Sequence, residues 1–397
     1  MKKRVVVGLS GGVDSSVAAH LLLEQDFDVV GIFMRNWHDE SVTVNNECPW
    51  IDDSNDAMMA AEHLGIPFHV LDLSKDYKER IVDYMFREYQ AGRTPNPDVL
   101  CNREIKFDVF LKAALNLKAD FVATGHYCRK NSFVNDQDKT IYQLLAGKDS
   151  NKDQSYFLCQ LDQEQLSRVL FPIGELKKPE VRKIAHEIGL PNADKKDSQG
   201  LCFVGKVKLP VFLQQQLQPK KGQVIEVPSD VLFTSSNDMS GSGNENELGL
   251  ICSPMVFAKA MGRVVGEHQG IHYYTIGQRK GLGVGGKAEP MFILEIDPVE
   301  NIVFMGQGEN HPGLFRKGLF IPTLDEHWVR EDLRMKEGES KRFRARIRYR
   351  QPLTSCTITK SNKGLYVVFV EQQRSIARGQ FAAWYLDDEL IGSGIIA

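Results

Sequence analysis

Apolar and polar positions alternate along the first 130 residues in a strand-then-helix rhythm. Apolar runs at 4–9, 28–34, 67–71 and 121–123 have the length of buried strands, and amphipathic stretches at about 15–25, 53–64, 76–90 and 103–117 carry helical spacing. Strands that alternate with helices in this way build a parallel sheet with crossover helices, and such a sheet binds its ligand at the carboxyl ends of its strands. Residues 155–217 read as largely helical, with Pro179 at a helix start and Ile184, Ile188 and Leu190 on one apolar stripe, so they extend the first unit.

From about residue 220 the pattern changes to short strands and glycine turns. Residues 234–247, rich in Ser, Asn and Gly, read as a flexible excursion. After about 290, segments 291–296 and 366–370, set among closely spaced turns, predict a small β-barrel. The expected organisation is an α/β domain over 1–217, a small middle domain over 218–290 with an inserted loop, and a C-terminal β-barrel over 291–397. A chain of 397 residues is long enough for two or three units with separate cores.

Composition narrows this picture only a little. Lys and Arg total 49 against 52 Asp and Glu, a formal net charge of -3, so any polyanion must be met by local patches. The basic start leads straight into a strand rather than a signal peptide, and no apolar run reaches membrane-spanning length, which predicts a soluble cytoplasmic protein with no membrane partner. Seven cysteines, at 48, 101, 128, 159, 202, 252 and 356, include no CxxC pair and fit neither a secreted disulfide framework nor a zinc ribbon.

Ser10-Gly11-Gly12-Val13-Asp14-Ser15-Ser16 lies between the first strand and the first helix. Glycines there let the backbone approach an anion, while the helix N-terminus supplies N–H groups. A glycine turn without function is the bland alternative, and the full heptapeptide argues against it. The GKS/T ending of a Walker loop and the GxGxxG of a dinucleotide site are both missing. The loop resembles that of the ATP pyrophosphatases, with their adenine nucleotide alpha-hydrolase-like fold. That resemblance implies adenylation of a carbonyl or carboxylate with release of pyrophosphate.

Two cysteines have chemically suggestive surroundings. Cys101 follows the proline-stiffened Thr94-Pro95-Asn96-Pro97-Asp98 and stands just ahead of the helix expected near Arg103, where the helix N-terminus, Arg103 and Lys106 favour a thiolate. The polar setting predicts presentation rather than burial; a half-buried thiol at a helix end is the alternative. Cys202, in Asp197-Ser198-Gln199-Gly200-Leu201-Cys202-Phe203, is flanked by Lys195, Lys196 and Lys206. Such a pair can relay sulfur through a persulfide and a disulfide. An iron–sulfur cluster on Asp98, Cys101 and Cys202 is the competing reading, and no residues stand at zinc-site spacing. Cys48, with His38, Asp52 and Asp53, reads as an incidental polar cluster.

Arginines at 342, 344, 346, 348 and 350 alternate with Phe343, Ala345, Ile347 and Tyr349. In a strand this predicts one basic face and one packed face, and the basic face suits the phosphates of a folded RNA. A solvated strand with carboxylate partners is the alternative. Gly277-Gln278-Arg279-Lys280-Gly281-Leu282-Gly283 is a second basic glycine loop, readable as a tight turn alone.

Taken together, Ser10–Ser16, Met34-Arg35-Asn36-Trp37, Asn96-Pro97-Asp98, the run from Cys101 to Phe107, Gly125-His126-Tyr127, Lys152-Asp153-Gln154-Ser155-Tyr156 and Ser198–Cys202 resemble the tRNA-specific 2-thiouridylases over nearly the whole chain. The resemblance implies that Gly8, Leu9, Ser10, Gly11, Gly12, Val13, Asp14 and Ser15, with Met34 and Gly125, hold ATP. It places Asn96, Pro97 and Asp98 at the target base, with Asp98 counted among the catalytic groups. Cys101 becomes the nucleophile, Cys202 the persulfide carrier, and the two form a transient disulfide. His126, Lys152, Asp153, Gln154, Arg348, Tyr349 and Gln380 approach the tRNA. The implied activity is that of a tRNA-uridine 2-sulfurtransferase: ATP adenylates the 2-carbonyl of the wobble uridine and persulfide sulfur displaces AMP. ATP with magnesium, tRNA and a persulfide-donating desulfurase or sulfur relay are the expected cofactors and partners. Residues 226–264 depart from the family pattern. Two rivals remain at this level, an ATP pyrophosphatase acting on a small metabolite and a non-catalytic RNA-binding protein with a nucleotide pocket.

Overall fold

The structure is a computed structural model that describes residues 2–37, 49–196, 209–214, 216–231, 244–281 and 286–397. The N-terminal part runs β1 (Arg4–Gly8), α1 (Val13–Glu24), β2 (Asp28–Arg35), α2 (Pro49–His63), β3 (Phe68–Asp72), α3 (Ser74–Tyr77), α4 (Asp83–Gln90), α5 (Pro97–Leu100), α6 (Phe110–Asn116) and β4 (Phe121–Ala123). π-Helical stretches at Lys78–Val82 and Cys101–Val109 join α3 to α4 and α5 to α6. The hairpin β5 (Cys128–Val134) and β6 (Thr140–Ala146) comes next, then α7 (Gln163–Arg168), β7 (Val169–Leu170), α8 (Lys178–Glu187) and α9 (Leu209–Gln214).

Strands β3-β2-β1-β4-β7 form an all-parallel sheet in that order. The apolar run of β1 follows from burial on both faces. Val5, Val7 and Leu9 pack with Ala19 and Leu22 of α1 and Ala57 and Ala61 of α2, whereas Val6 packs with Ile32, Met34 and Phe110 on the other face. Because β1 pairs with β2 on one side and β4 on the other, the chain order reverses beside β1. A ligand crevice opens at that switch point, beyond the carboxyl end of β1, where the glycine loop begins.

Residues 155–217 are less helical than their pattern suggests. Their described part holds a 3₁₀ turn at Ser155–Leu158, α7, α8 and α9, and it also supplies β7 to the sheet.

The middle part comprises β8 (Gly222–Glu226), α10 (Glu245–Cys252), β9 (Arg263–His268), β10 (Met291–Asp297) and β11 (Ile302–Gln307), with sheet order β10-β11-β8-β9. The division expected at residue 290 cuts through this sheet, because β11 pairs in parallel with β8 and β10 pairs with β11. Segment 291–296 therefore belongs to the middle sheet and not to the barrel. Of the excursion expected at 234–247, the described end is ordered: the Asn244 side chain accepts the Glu247 N–H at 3.1 Å and caps α10.

The C-terminal β-barrel is built from β12 (Phe315–Pro322), β13 (Glu326–Trp328), β14 (Ser340–Arg346), β15 (Thr354–Lys360), β16 (Gly364–Arg374), β17 (Phe381–Leu386) and β18 (Glu389–Ile395). Its sheet order is β12-β16-β15-β14-β17-β18-β6-β5, with β13 also on β18. The hairpin β5–β6 is thus drawn out of the expected first domain: Glu389 and Leu390 of β18 pair with Leu145 and Leu144 of β6. Trp328 and Trp384, both buried, meet edge to face at 5.2 Å in the barrel core.

Candidate active site

The glycine loop is shaped by contacts that only glycine permits. Gly11 has φ +73°, and a Cβ there would lie 2.1 Å from the Asp53 carbonyl oxygen. A Cβ on Gly125 would lie 2.7 Å from Asp14 C and Ser15 N, so the Gly125 strand end presses directly on the loop backbone. Ser15 Oγ accepts the Ser10 N–H and donates to the Gly12 carbonyl, both at 3.1 Å. Gly12, in an extended conformation, precedes α1 without any side-chain cap, which leaves the first turn open to an anion. Met34 sits against Gly8, within 3.1 Å of the position a Cβ would take. Gly8, the loop, Met34 and Gly125 are therefore brought together, as the sequence suggested. Leu9 and Val13 send their side chains into the core, so only their backbones face the loop's ligand.

Three residues outside the motif complete the loop. Asn192 donates to the Gly11 carbonyl at 3.0 Å and to Ser16 Oγ at 3.1 Å. Lys178 Nζ meets both carboxylate oxygens of Asp14, at 2.8 and 2.9 Å, and the Tyr127 hydroxyl donates to the same carboxylate at 2.8 Å. The sequence showed Pro179 at a helix start, and nothing local marks that helix, or Lys178 beside it, as a neighbour of the loop.

The helix carrying Cys101 begins about six residues earlier than expected, at Pro97. Asn96 Oδ1 accepts the Val99 N–H at 3.2 Å and Pro97 takes the first helical position, so the cap lies at Asn96 and not near Arg103. This start turns Cys101 and Ile105, four residues apart, onto the inward face. Cys101 is fully buried among Val99, Leu100 and Phe107, contrary to the presentation inferred from its polar neighbours. Arg103 pairs with Glu104 and donates to Gln160, both at 2.8 Å. Asp98 is half-buried in the first turn of α5. Cys202 and the motif around it lie outside the described residues, as does Cys48.

Asn96 also marks where the three parts of the chain meet. Its Nδ2 donates to Gln380 Oε1 at 3.3 Å, Gln380 Nε2 donates to the Pro95 carbonyl at 3.4 Å, and the Thr94 N–H donates to the Arg378 carbonyl at 2.8 Å. Thr94 Oγ1 donates to Thr275 Oγ1 at 3.3 Å. A pocket of about 370 Å³ opens there, lined by Thr275, Gly277, Gln278, Arg348, Tyr349 and Gln380 among others. Gly277 and Gln278, at the start of the second basic glycine loop, thus form part of its wall. Tyr349 packs on Phe157 with ring centroids 4.4 Å apart.

Other expected RNA contacts are placed differently. His126 is buried between Phe107 and Phe171 and hydrogen-bonds Thr124 Oγ1 at 2.7 Å; burial, and then the nearby Lys106 charge, push its pKa well below the usual 6.5. Asp153 is 5% exposed and accepts four hydrogen bonds, from the Gly147 and Ser155 N–H groups, Ser155 Oγ and Arg346 Nη2. With four lone-pair sites filled, it has no acceptor to offer an RNA. Gln154 Oε1 accepts the Tyr127 N–H at 3.0 Å. Lys152 is half-buried.

The arginine alternation is only partly a basic face. Arg342, Arg344, Arg348 and Arg350 are exposed, but Arg346 is 7% exposed, 2.7 Å from Asp153 and over the Tyr385 ring at 4.8 Å. The alternation breaks because β14 ends at Arg346 and the chain turns inward against the 153–155 loop.

Among the described residues no three or more His, Cys, Asp or Glu are grouped to hold a metal ion, and no helix is long and apolar enough to cross a membrane. Family models described as the tRNA methyl transferase HUP domain, the tRNA methyl transferase PRC-barrel domain and the aminomethyltransferase beta-barrel domain match residues 3–206, 252–307 and 321–396. The chain is 60% identical over 395 residues to the tRNA-specific 2-thiouridylase MnmA of Flavobacterium johnsoniae, and 60% identical over 395 residues to that of Christiangramia forsetii, with 100% of both chains covered in each case. It is 46% identical to that of Karelsulcia muelleri over 397 residues, 100% of this chain and 99% of the other. Motifs, architecture and end-to-end identity agree, and the chain belongs to the tRNA-specific 2-thiouridylase family.

Proposed function

We propose that this chain thiolates a tRNA uridine at its 2-position in two half-reactions, adenylation by ATP and transfer of persulfide sulfur. The observation that carries this reading is the meeting of Asn96 with Gln380, which joins the segment leading to Cys101 to the barrel's exposed Arg348 and half-buried Tyr349. A base presented there lies at the junction of the nucleotide domain and the arginine-bearing barrel.

A uridine 2-carbonyl oxygen is a poor leaving group. Bonding it to the α-phosphorus of ATP, with pyrophosphate expelled, converts it to a good one. The open first turn of α1 and the Gly11 and Gly125 contacts hold the phosphates. Magnesium suits this step, carried in on the ATP phosphates. The base has to leave its stack to reach the site. Cys202 then carries the transferable sulfur as a persulfide. Cys101 thiolate attacks the inner sulfur, the outer sulfur passes to C2 and displaces AMP, and the Cys101–Cys202 disulfide that remains is reopened by a two-electron thiol reductant. Since Cys101 is buried, its helix must rearrange for that attack. The π-helical geometry that begins at Cys101 is of a kind found at functional sites. A persulfide-bearing protein, a desulfurase or a sulfur relay, supplies the sulfur.

The test incubates purified protein with ATP, a persulfide source and unmodified tRNA, and analyses nucleosides. 2-Thiouridine is expected, and adenylated RNA without it would refute the sulfur step. Activity that survives Cys101→Ser would point to a small-metabolite ATP pyrophosphatase, and an absence of pyrophosphate release to a binding protein.

A further inference from the structure

Pyrophosphate departs with several negative charges, and Ser10–Ser15 offers it N–H dipoles but no cation of its own. The fold delivers one from elsewhere. Lys178, at the start of α8, places its ammonium 2.8 and 2.9 Å from the Asp14 oxygens, in the first turn of α1. It is anchored there from two further sides. The Lys178 N–H donates to Asp149 Oδ2 at 2.9 Å, and Tyr127, whose hydroxyl holds Asp14, lies 5.9 Å beneath the ammonium. Both charged side chains are screened, at 12% exposure for Lys178 and 30% for Asp14. A second lysine near the loop, Lys195, is held by two carboxylates, Asp53 at 2.6 Å and Asp56 at 2.5 Å, which suits it to fixing α2 and not to meeting an anion.

We infer that Lys178 binds the pyrophosphate leaving group, and that Asp14 and Tyr127 hold its ammonium beside the loop until ATP arrives. This rests on the adenylation reading above. As the uridine O2 bonds to the α-phosphorus, the bond from that phosphorus to the bridging oxygen breaks and its electron pair leaves on pyrophosphate. The uracil N3 proton is released, and Lys178 pairs with the emerging charge without giving up a proton. A glycine loop alone grips phosphate but does not answer this charge; an ammonium already aimed at the first turn does.

The test uses the full chain with ATP and unmodified tRNA, without a sulfur donor, and reads pyrophosphate release and its inhibition by added pyrophosphate. Lys178→Gln is expected to lower the release rate about tenfold or more and to weaken pyrophosphate inhibition about tenfold, with KM for tRNA unchanged. Lys178→Arg, which keeps the cation, is expected to retain most of the pyrophosphate inhibition that Lys178→Gln loses. Wild-type protein gives a second readout that needs no variant: pyrophosphate should protect Lys178 from acetic anhydride, read by mass spectrometry. Unchanged inhibition in a folded Lys178→Gln protein, or equal labelling of Lys178 with and without pyrophosphate, overturns the inference. Failure of the wild-type protein to release pyrophosphate at all would instead remove the adenylation reading on which it rests.

Discussion

Arg344 and Arg346 stand two residues apart on one strand, yet the structure gives them opposite roles. Replacing Arg346 with Met strands the Asp153 carboxylate, 5% exposed, with three remaining donors: two backbone N–H groups and Ser155 Oγ. Removing one partner of a buried ion pair costs about 3–5 kcal/mol. The three surviving hydrogen bonds hold the value toward the lower end, while loss of the cation over Tyr385 adds about 1 kcal/mol, so a total of about 3–4 kcal/mol is expected. Urea unfolding followed by tryptophan fluorescence, to which buried Trp328 and Trp384 contribute, should show the midpoint falling accordingly. Adding Asp153→Asn to Arg346→Met removes the unpaired charge and should return about half of the loss. Arg344→Gln should move the midpoint by no more than about 0.5 kcal/mol equivalent, but weaken tRNA binding and reduce its salt dependence by about one phosphate contact. If Arg346→Met left the midpoint unchanged, or Arg344→Gln were the destabilising change, the division of this strand into a buried and an exposed arginine would be wrong.

Gly125→Ala places a methyl 2.7 Å from the Asp14 and Ser15 backbone, so ATP affinity should fall at least about tenfold by equilibrium dialysis while the barrel unfolds as before. Burial, and then Lys106, depress the His126 pKa below 6.5, so the unfolded chain takes up this proton first as pH falls. The His126 contribution is fully present above pH 6.5 and is lost below it, by up to about 1.4 kcal/mol per pH unit. His268, His272, His311 and His327 shift the same way, also through burial, so His126→Gln should flatten one part of the stability slope below pH 6.5, measured by urea midpoints, and not abolish it. Cys101, fully buried, should react with iodoacetamide about tenfold or more slowly in the folded chain than in urea, read by peptide mass spectrometry; equal rates would contradict its placement in the core.

The sequence by itself determined the elements whose causes are local. In β1, the loop and α1, the change from a continuous apolar run through paired glycines to helical spacing falls within some twenty residues, and the structure reproduces it. Asn96-Pro97 was an equally local signal, an N-cap followed by a proline at the first helical position, and it shows why the helix starts early and turns Cys101 inward. Only the tertiary structure decided what meets across the chain. Lys178 reaches Asp14 over 164 residues, Arg346 reaches Asp153 over 193, and β18 takes up a hairpin that the periodicity assigns to another domain. Periodicity reports which face of an element is buried but not which element buries it, because that choice depends on how the sheets close. The same limit explains the arginine alternation: five charges on one face were legible, but the carboxylate that draws Arg346 inward comes from a loop far away in sequence.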